Sequence, residues 1–321
     1  MQLTALPCAP VPGRLTEGPV WHAGRGDLLW VDITAGLVHR APLVARDDDS
    51  GLPDLGPRTT LSLDRPVGAV AVRACGGLLV AAGTTFLTVD DTGVATEFAA
   101  PDVPDDGTPR RMNDAKCDPA GRLLAGTMAD DGTPGAGSLY RLDPDGTVTT
   151  LLDSVSISNG LGWSPDGRLL YYADSPTRRV DVFDHDPVTG ALTGRRPLVD
   201  TGPAGVPDGL AVDTGGRIWV AVWGAGQVRA YTPDGTLHAV VTVPASQVSS
   251  CAFIGLDLDL LVITTATDGL SPQQLSAEPL AGRLFICRPG VTGLPVPPFA
   301  DDPARIPASS TTPHEPRGSA S

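Results

Sequence analysis

Six times along the chain, a turn runs straight into a stretch of strand-forming residues. The clearest copy is Gly167-Arg168-Leu169-Leu170-Tyr171-Tyr172-Ala173-Asp174, and related copies begin at Gly26, Gly76, Gly121, Gly216 and Leu258. The residue after the turn falls at 27, 77, 122, 168, 217 and 259, so the intervals are 50, 45, 46, 49 and 42 residues. A period of that size built only from strands and turns is that of a propeller blade. The predicted fold is therefore all-β: a six-bladed β-propeller with a central channel.

The repeat also has a phase. Nine or ten residues upstream of each marker, at the entrance to the blade's first strand, stand Glu17, Asn113, Asn159 and Asp208 in blades one, three, four and five. Equivalent points of a radial repeat reach the same height around the axis. Four oxygen-bearing side chains, far apart in sequence, should thus converge on one mouth of the channel. Blades two and six carry Gly68 and Ser250 there, small residues expected to leave room. Glycines follow Asn159 and Asp208 directly, and a backbone shape open to glycine is expected to turn the polar side chains inward.

The length of 321 residues suits one large domain of this kind. The propeller is expected over residues 1–302, beginning with a leading strand and loop over 1–15. From about Pro303 the chain turns to Pro, Ser, Thr and Ala, and residues 303–321 read as a disordered tail. Gly 38 and Pro 32 fit many tight turns, and 41% apolar residues suffice for a packed core. A formal charge of −14 repels phosphate backbones and argues against a nucleic-acid partner, while it is compatible with cations. No stretch is long and apolar enough to cross a bilayer, so no membrane partner is expected. Met1 to Pro12 lacks a signal-peptide pattern. Five scattered cysteines, with no CxxC, read as buried free thiols of a cytoplasmic protein. The five histidines share no phase, which argues against a His-rich metal site or a Ser-His-Asp triad.

Other polar clusters read as structure. The acidic run at Asp47-Asp48-Asp49 lies in a solvated insertion over 46–58 and lacks the ligand spacing of a calcium loop. Asp114, Asp118, Asp166 and Asp213 read as turn residues that bond backbone amides, and Asp174 as a strand-end residue. Arg110 and Arg111 stand beside Asn113. Two arginines at a channel can hold a polar or anionic substrate, although Arg110 reads better as surface charge.

Two carboxylates with one or two carboxamides, and neither sulfur nor imidazole, form a hard oxygen site. It suits Ca²⁺ first, then Mg²⁺ and Mn²⁺, with Zn²⁺ or Fe²⁺ less natural. Carboxylates facing one channel repel each other, which is the physical reason to expect one divalent ion. If Glu17, Asn159 and Asp208 are the only protein ligands, open positions remain for water or substrate. An ester carbonyl could be polarised there, and Asp208 could accept a proton from an attacking water.

The stretches Glu17-Gly18-Pro19-Val20-Trp21, Arg111-Met112-Asn113-Asp114-Ala115-Lys116-Cys117-Asp118-Pro119, Ser158-Asn159-Gly160-Leu161 and Pro207-Asp208-Gly209 resemble the family of regucalcin (senescence marker protein), gluconolactonases and luciferin-regenerating enzymes. The resemblance runs from about residue 14 to 290. It implies a metal-dependent sugar lactonase in which Glu17, Asn159 and Asp208 ligate the metal. Asp208 would also be the general base, and Arg111 and Asn113 would bind the lactone. Ala115 replaces a frequent Gly of the family. Asp130 and Asp131 stand where some members carry a substrate-contacting glutamate, which leaves the sugar open. Alternative readings are a non-catalytic metal- or ligand-binding propeller, and a related propeller esterase or phosphotriesterase.

Overall fold

In the computed structural model, which describes residues 1–9 and 12–301, the chain forms six antiparallel sheets arranged as the blades of a propeller. The expected disordered tail, 303–321, lies outside the described residues. The repeated runs are the second strands of the blades: Asp27–Asp32, Leu78–Ala82, Leu123–Ala129, Leu169–Asp174, Ile218–Trp223 and Leu260–Thr265. Each pairs with an inner strand: Thr16–His22, Val67–Val72, Arg110–Cys117, Ser158–Trp163, Val206–Val212 and Val248–Ile254. Blades pack face to face, so both sides of these strands are covered, and most of their sequences are apolar or small runs, the clearest exception being Arg110–Cys117 of blade three. Ser158–Trp163 and Leu260–Thr265 are buried at every residue. Outer strands such as Ala95–Ala99 are mostly exposed. Between blades the core is aromatic: buried Trp219 of blade five meets Phe253 of blade six edge to face at 5.9 Å.

The ring is closed by residues expected to be a mere leading strand and loop. Gln2–Thr4 adds a parallel strand to the outer edge of blade five, against Leu237–Thr242. Leu6–Pro7 pairs with Phe285–Cys287 and supplies the fourth strand of blade six. Residues 291–301 cross the far mouth of the channel. Leu294 N donates to Val212 O at 3.1 Å, and Phe299 N to Val72 O at 2.8 Å. Those acceptors are the last residues of the inner strands of blades five and two.

Every inner strand carries one extra residue near its start. Glu17 opposes Val31 but Val20 opposes Leu29. The same shift falls between Val67 and Ala69, Met112 and Ala115, Ser158 and Leu161, Pro207 and Leu210, and Val248 and Ser250. A β-bulge re-aims a side chain and bends its strand. Six bulges at one level form a ring, and the four phased residues sit on it.

The insertion over 46–58 is mostly exposed, as expected, and contributes only the two-residue strand Asp54–Leu55. Blade six carries a short helix, Pro272–Ala277, started by a Ser271/Gln274 capping box. No described helix is long and apolar enough to cross a membrane. All five cysteines are free; four are buried, and Cys75, against expectation, is exposed.

Candidate metal and substrate site

The bulge ring brings Glu17, Asn113, Asn159 and Asp208 together at one mouth, each only 6% exposed. Glu17 and Asp208 come close enough for each to act on the other's charge although they are 191 residues apart in the chain. Gly18, at φ +50°, takes a conformation that few other residues accept. Its amide donates to Glu17 Oε2 at 2.9 Å. Gly160 and Gly209 are glycines for another reason. A Cβ on Gly160 would lie 2.4 Å from the Asp208 carbonyl oxygen, and one on Gly209 2.0 Å from Ser250 Oγ. Gly68 is likewise pressed against Asn113 O, 2.4 Å from its ideal Cβ. These small residues mark close approach of neighbouring inner strands, not the open room or special backbone shape expected of them.

A chain of hydrogen bonds orients the amides. Arg111 Nη1 donates to Asn113 Oδ1 at 2.7 Å. Asn113 Nδ2 donates to Asn159 Oδ1 at 3.0 Å and to Ser158 O at 2.8 Å. Asn159 Nδ2 donates to Ser175 Oγ at 2.8 Å, which donates on to Pro207 O at 2.7 Å. The nitrogen of Asn159 donates to protein, and its oxygen, which accepts one bond from Asn113, keeps a second lone pair for a cation. Asn113 is engaged at both ends of its amide and holds its neighbours as much as it offers itself to a ligand.

Burial, reinforced by the charge of Asp114, pushes the Glu17 carboxyl up to about 8. Burial, then Glu17 and Asp114, pushes Asp208 well above the ordinary carboxylate range. Without a cation the pair holds a proton that an exposed pair would lose. Asp208 Oδ1 is buried and has no hydrogen-bond partner among the described residues. An orphaned carboxylate oxygen beside a second carboxylate and an oriented amide oxygen fits a hard divalent cation. Among the described residues no three His, Cys, Asp or Glu side chains gather as a metal cluster; the third oxygen here is a carboxamide.

The site opens into a cavity of about 280 Å³, walled by Leu15, Ile33, Met128, Ile157 and Trp223 and edged by Arg111 and Asp268. Arg110 turns away from the site to an ion pair with Asp106 at 2.6 Å, but it is not the surface charge expected: its side chain is only 4% exposed and also donates to Ala136 O at 2.6 Å. Asp130 and Asp131 are exposed and do not line the cavity; Asp131 accepts from Thr133 N at 2.9 Å. Asp118, Asp166 and Asp213 do hold turn amides, and Asp174 accepts from Ile157 N. Asp114 is not a turn residue. It lies buried in the inner strand of blade three, where Lys116 of the same strand offsets its charge. Lys116 itself donates to Leu210 O.

Ser175, Trp223 and Asp268 were not foreseen. The start of an inner strand pairs with the end of the second strand, as Ser158 does with Asp174. The phase argument applied to the ends of the repeated runs would have reached Ile33, Ser175 and Trp223.

The chain is similar to known proteins along most of its length. The SMP-30/gluconolactonase/LRE-like region matches residues 15–267. Regucalcin of Sus scrofa is 39% identical over 293 residues, covering 88% of this chain and 94% of that protein. A crystal structure described as a calcium-binding protein, regucalcin from Agrobacterium tumefaciens, superposes with a TM-score of 0.83 at 31% identity, over 93% of this chain and 99% of the other. A luciferin-regenerating enzyme gives 0.81 at 28% identity, over 92% and 99%.

Proposed function

Since the chain belongs to the SMP-30/gluconolactonase/LRE-like family, we propose that it hydrolyses a sugar lactone, such as gluconolactone, to the sugar acid with the help of one divalent metal ion. The observation that carries the reading is the buried, unpartnered Asp208 Oδ1 beside Glu17 at the floor of a one-ring-sized cavity. Glu17, Asn159 and Asp208 would hold the ion. Ca²⁺ is the first choice for an all-oxygen set, in keeping with the calcium-binding description of the Agrobacterium relative, with Mg²⁺, Mn²⁺, Zn²⁺ and Fe²⁺ as alternatives. Bound there, it would supply Lewis-acid polarisation of the ester carbonyl.

The chain's own residues do the rest. Arg111, half-buried beside the cavity, donates to oxygens of the lactone and holds the ring against the carboxylate pair. Asn113, fixed by Arg111, keeps the Asn159 oxygen aimed at the axis. Asp208 takes a proton from the attacking water. The new C–O bond forms at the carbonyl carbon, the ring C–O bond breaks, and the proton is returned to the departing alkoxide. The apolar walls limit competing water.

The test is a pH-drop assay over a panel of lactones, with chelator and with each divalent ion added back. Chelator-sensitive hydrolysis restored by an ion supports the reading. Tight binding of an ion with no turnover of any lactone would replace it with a binding propeller. Turnover confined to aryl esters or phosphotriesters would replace it with the related hydrolase.

A further inference from the structure

Asp268 stands in the loop between the second strand of blade six, Leu260–Thr265, and the helix Pro272–Ala277. It borders the same cavity as Glu17 and Arg111. The loop is tied down on both sides. Asp268 N donates to Arg14 O at 3.0 Å, Gln247 Nε2 donates to Asp268 O at 2.9 Å, and Arg14 Nε donates to Asp268 Oδ1 at 2.7 Å. The side chain stays 34% exposed, and its Oδ2 has no hydrogen bond among the described residues. This is a carboxylate held in place with one oxygen unspent.

Across the cavity stands Arg111. Its Nη1 is committed to Met112 O and Asn113 Oδ1, and it makes no ion pair among the described residues. Asp268 adds to the field that favours its charge, yet the two side chains do not touch. A fixed donor thus faces a fixed acceptor across a gap. A guanidinium only donates and a carboxylate only accepts, whereas a hydroxyl does both. A ring carrying hydroxyls satisfies both sides at once. An unsubstituted lactone leaves them unpaired, and a lactone bearing its own carboxylate meets Asp268, Glu17 and Asp208.

We propose that Asp268 is a specificity-determining residue of the site, accepting hydrogen bonds from substrate hydroxyls so that neutral, polyhydroxylated lactones are selected over unsubstituted and anionic ones. The proposal rests on the lactonase reading for its substrate, but not for its contact. It moves the acid that reads hydroxyls from the segment after Met128, where Asp130 and Asp131 are exposed, to blade six.

The experiment compares the calcium-loaded parent, Asp268→Ala and Asp268→Asn on δ-gluconolactone and on δ-valerolactone, the same ring without hydroxyls. A part-exposed charged hydrogen bond predicts a roughly tenfold fall in kcat/KM on δ-gluconolactone for the Ala variant, and a change under about twofold on δ-valerolactone. The Asn variant, which keeps an acceptor, should lie between. Melting temperature and calcium affinity should be unchanged, which a merely structural role would not allow. Equal losses on both lactones, or no loss on δ-gluconolactone, overturn the proposal. Calorimetric binding of a non-hydrolysable sugar lactam separates the two readings. If the parent turns over neither lactone but binds the lactam about tenfold better than Asp268→Ala, the lactonase reading fails and the role of Asp268 stands. If the parent neither turns over nor binds any of these ligands, both fail.

Discussion

The chemistry at the mouth depends on Asp208 in two capacities that substitution can separate. Asp208→Asn keeps an oxygen and the shape of the side chain but removes a charge and a proton acceptor. At saturating metal it should still load, more weakly, while lactone turnover falls by ~10²–10⁴-fold, the usual worth of positioned proton transfer. Asp208→Ala should lose metal and activity together. Turnover at the parent rate in the fully loaded Asn variant would remove Asp208 as the base. The buried pair also carries a pH signature. The folded-state value of Glu17 is raised from 4.5 to about 8, so the metal-free protein is favoured by the bound proton. That contribution is full below about pH 4.5 and is lost as pH rises through about 8. A divalent ion replaces the proton, so the rise in Tm on adding Ca²⁺ should widen between about pH 5 and about pH 8.5. Glu17→Gln should flatten the profile. A calcium-dependent Tm shift that is constant across this range would contradict the shared-proton state. Glu17, Asn113, Asn159 and Asp208 were legible because each sits at one phase of a six-fold period. Asp268 was not, because it lies in a loop whose length no other blade repeats, and Ser175 was not, because it directly follows a second strand, whose end the phase argument did not follow.

At the level of the strand, the site is a property of the bulge ring. Each inner strand gives up one ladder position at the same height, and at Gly68, Gly160 and Gly209 the neighbouring strands approach until only glycine fits. Gly160 shows the coupling: its ideal Cβ would meet the Asp208 carbonyl oxygen at 2.4 Å and Leu210 Cγ at 2.9 Å. Backbone cannot swing aside as a flexible side chain can. Gly160→Ala should therefore cost about 1–3 kcal/mol of stability and also push the ligand-bearing strand of blade five away from blade four. Calcium titration should show weaker binding although no ligand has been altered. A destabilised variant with parent calcium affinity would mean that strand spacing does not set the geometry. The strands themselves were visible in the sequence because both faces are buried, which leaves apolar runs such as 260–263. The bulges were not visible, because one extra residue shifts a register without changing composition.

For the whole molecule, a propeller must be prevented from opening, and the N-terminal pieces and residues 291–301 both contribute. The N-terminal pieces Gln2–Thr4 and Leu6–Pro7 are too short to announce themselves as strands, and their partners lie over 230 residues away, so the closure could not be read from local pattern. The C-terminal strap, 291–301, is rich in proline and has no strand period, and it too was missed. It is anchored by a buried ion pair: Arg73 Nε meets Asp301 Oδ2 at 2.6 Å, with side chains 7% and 0% exposed. The Cys75 thiol donates to the same oxygen at 3.0 Å. Asp301→Asn keeps the shape but leaves the Arg73 cation buried without a counter-charge. Removing one partner of such a pair typically costs about 3–5 kcal/mol. The strap is joined to the blades through few backbone bonds, so the loss should appear first as local release rather than as global unfolding. Hydrogen exchange should accelerate at Phe299 and Ala300, whose amides donate to Val72 O and Gly121 O. The inner-strand amides of blade four should keep their protection, and lactone turnover at the opposite mouth should change little. Retained protection at Phe299 and Ala300 would show that the apolar contact of Phe299, fully buried against Phe98 at 5.9 Å, holds the strap without the ion pair. Faster exchange throughout all six blades would show instead that the strap is what keeps the ring closed.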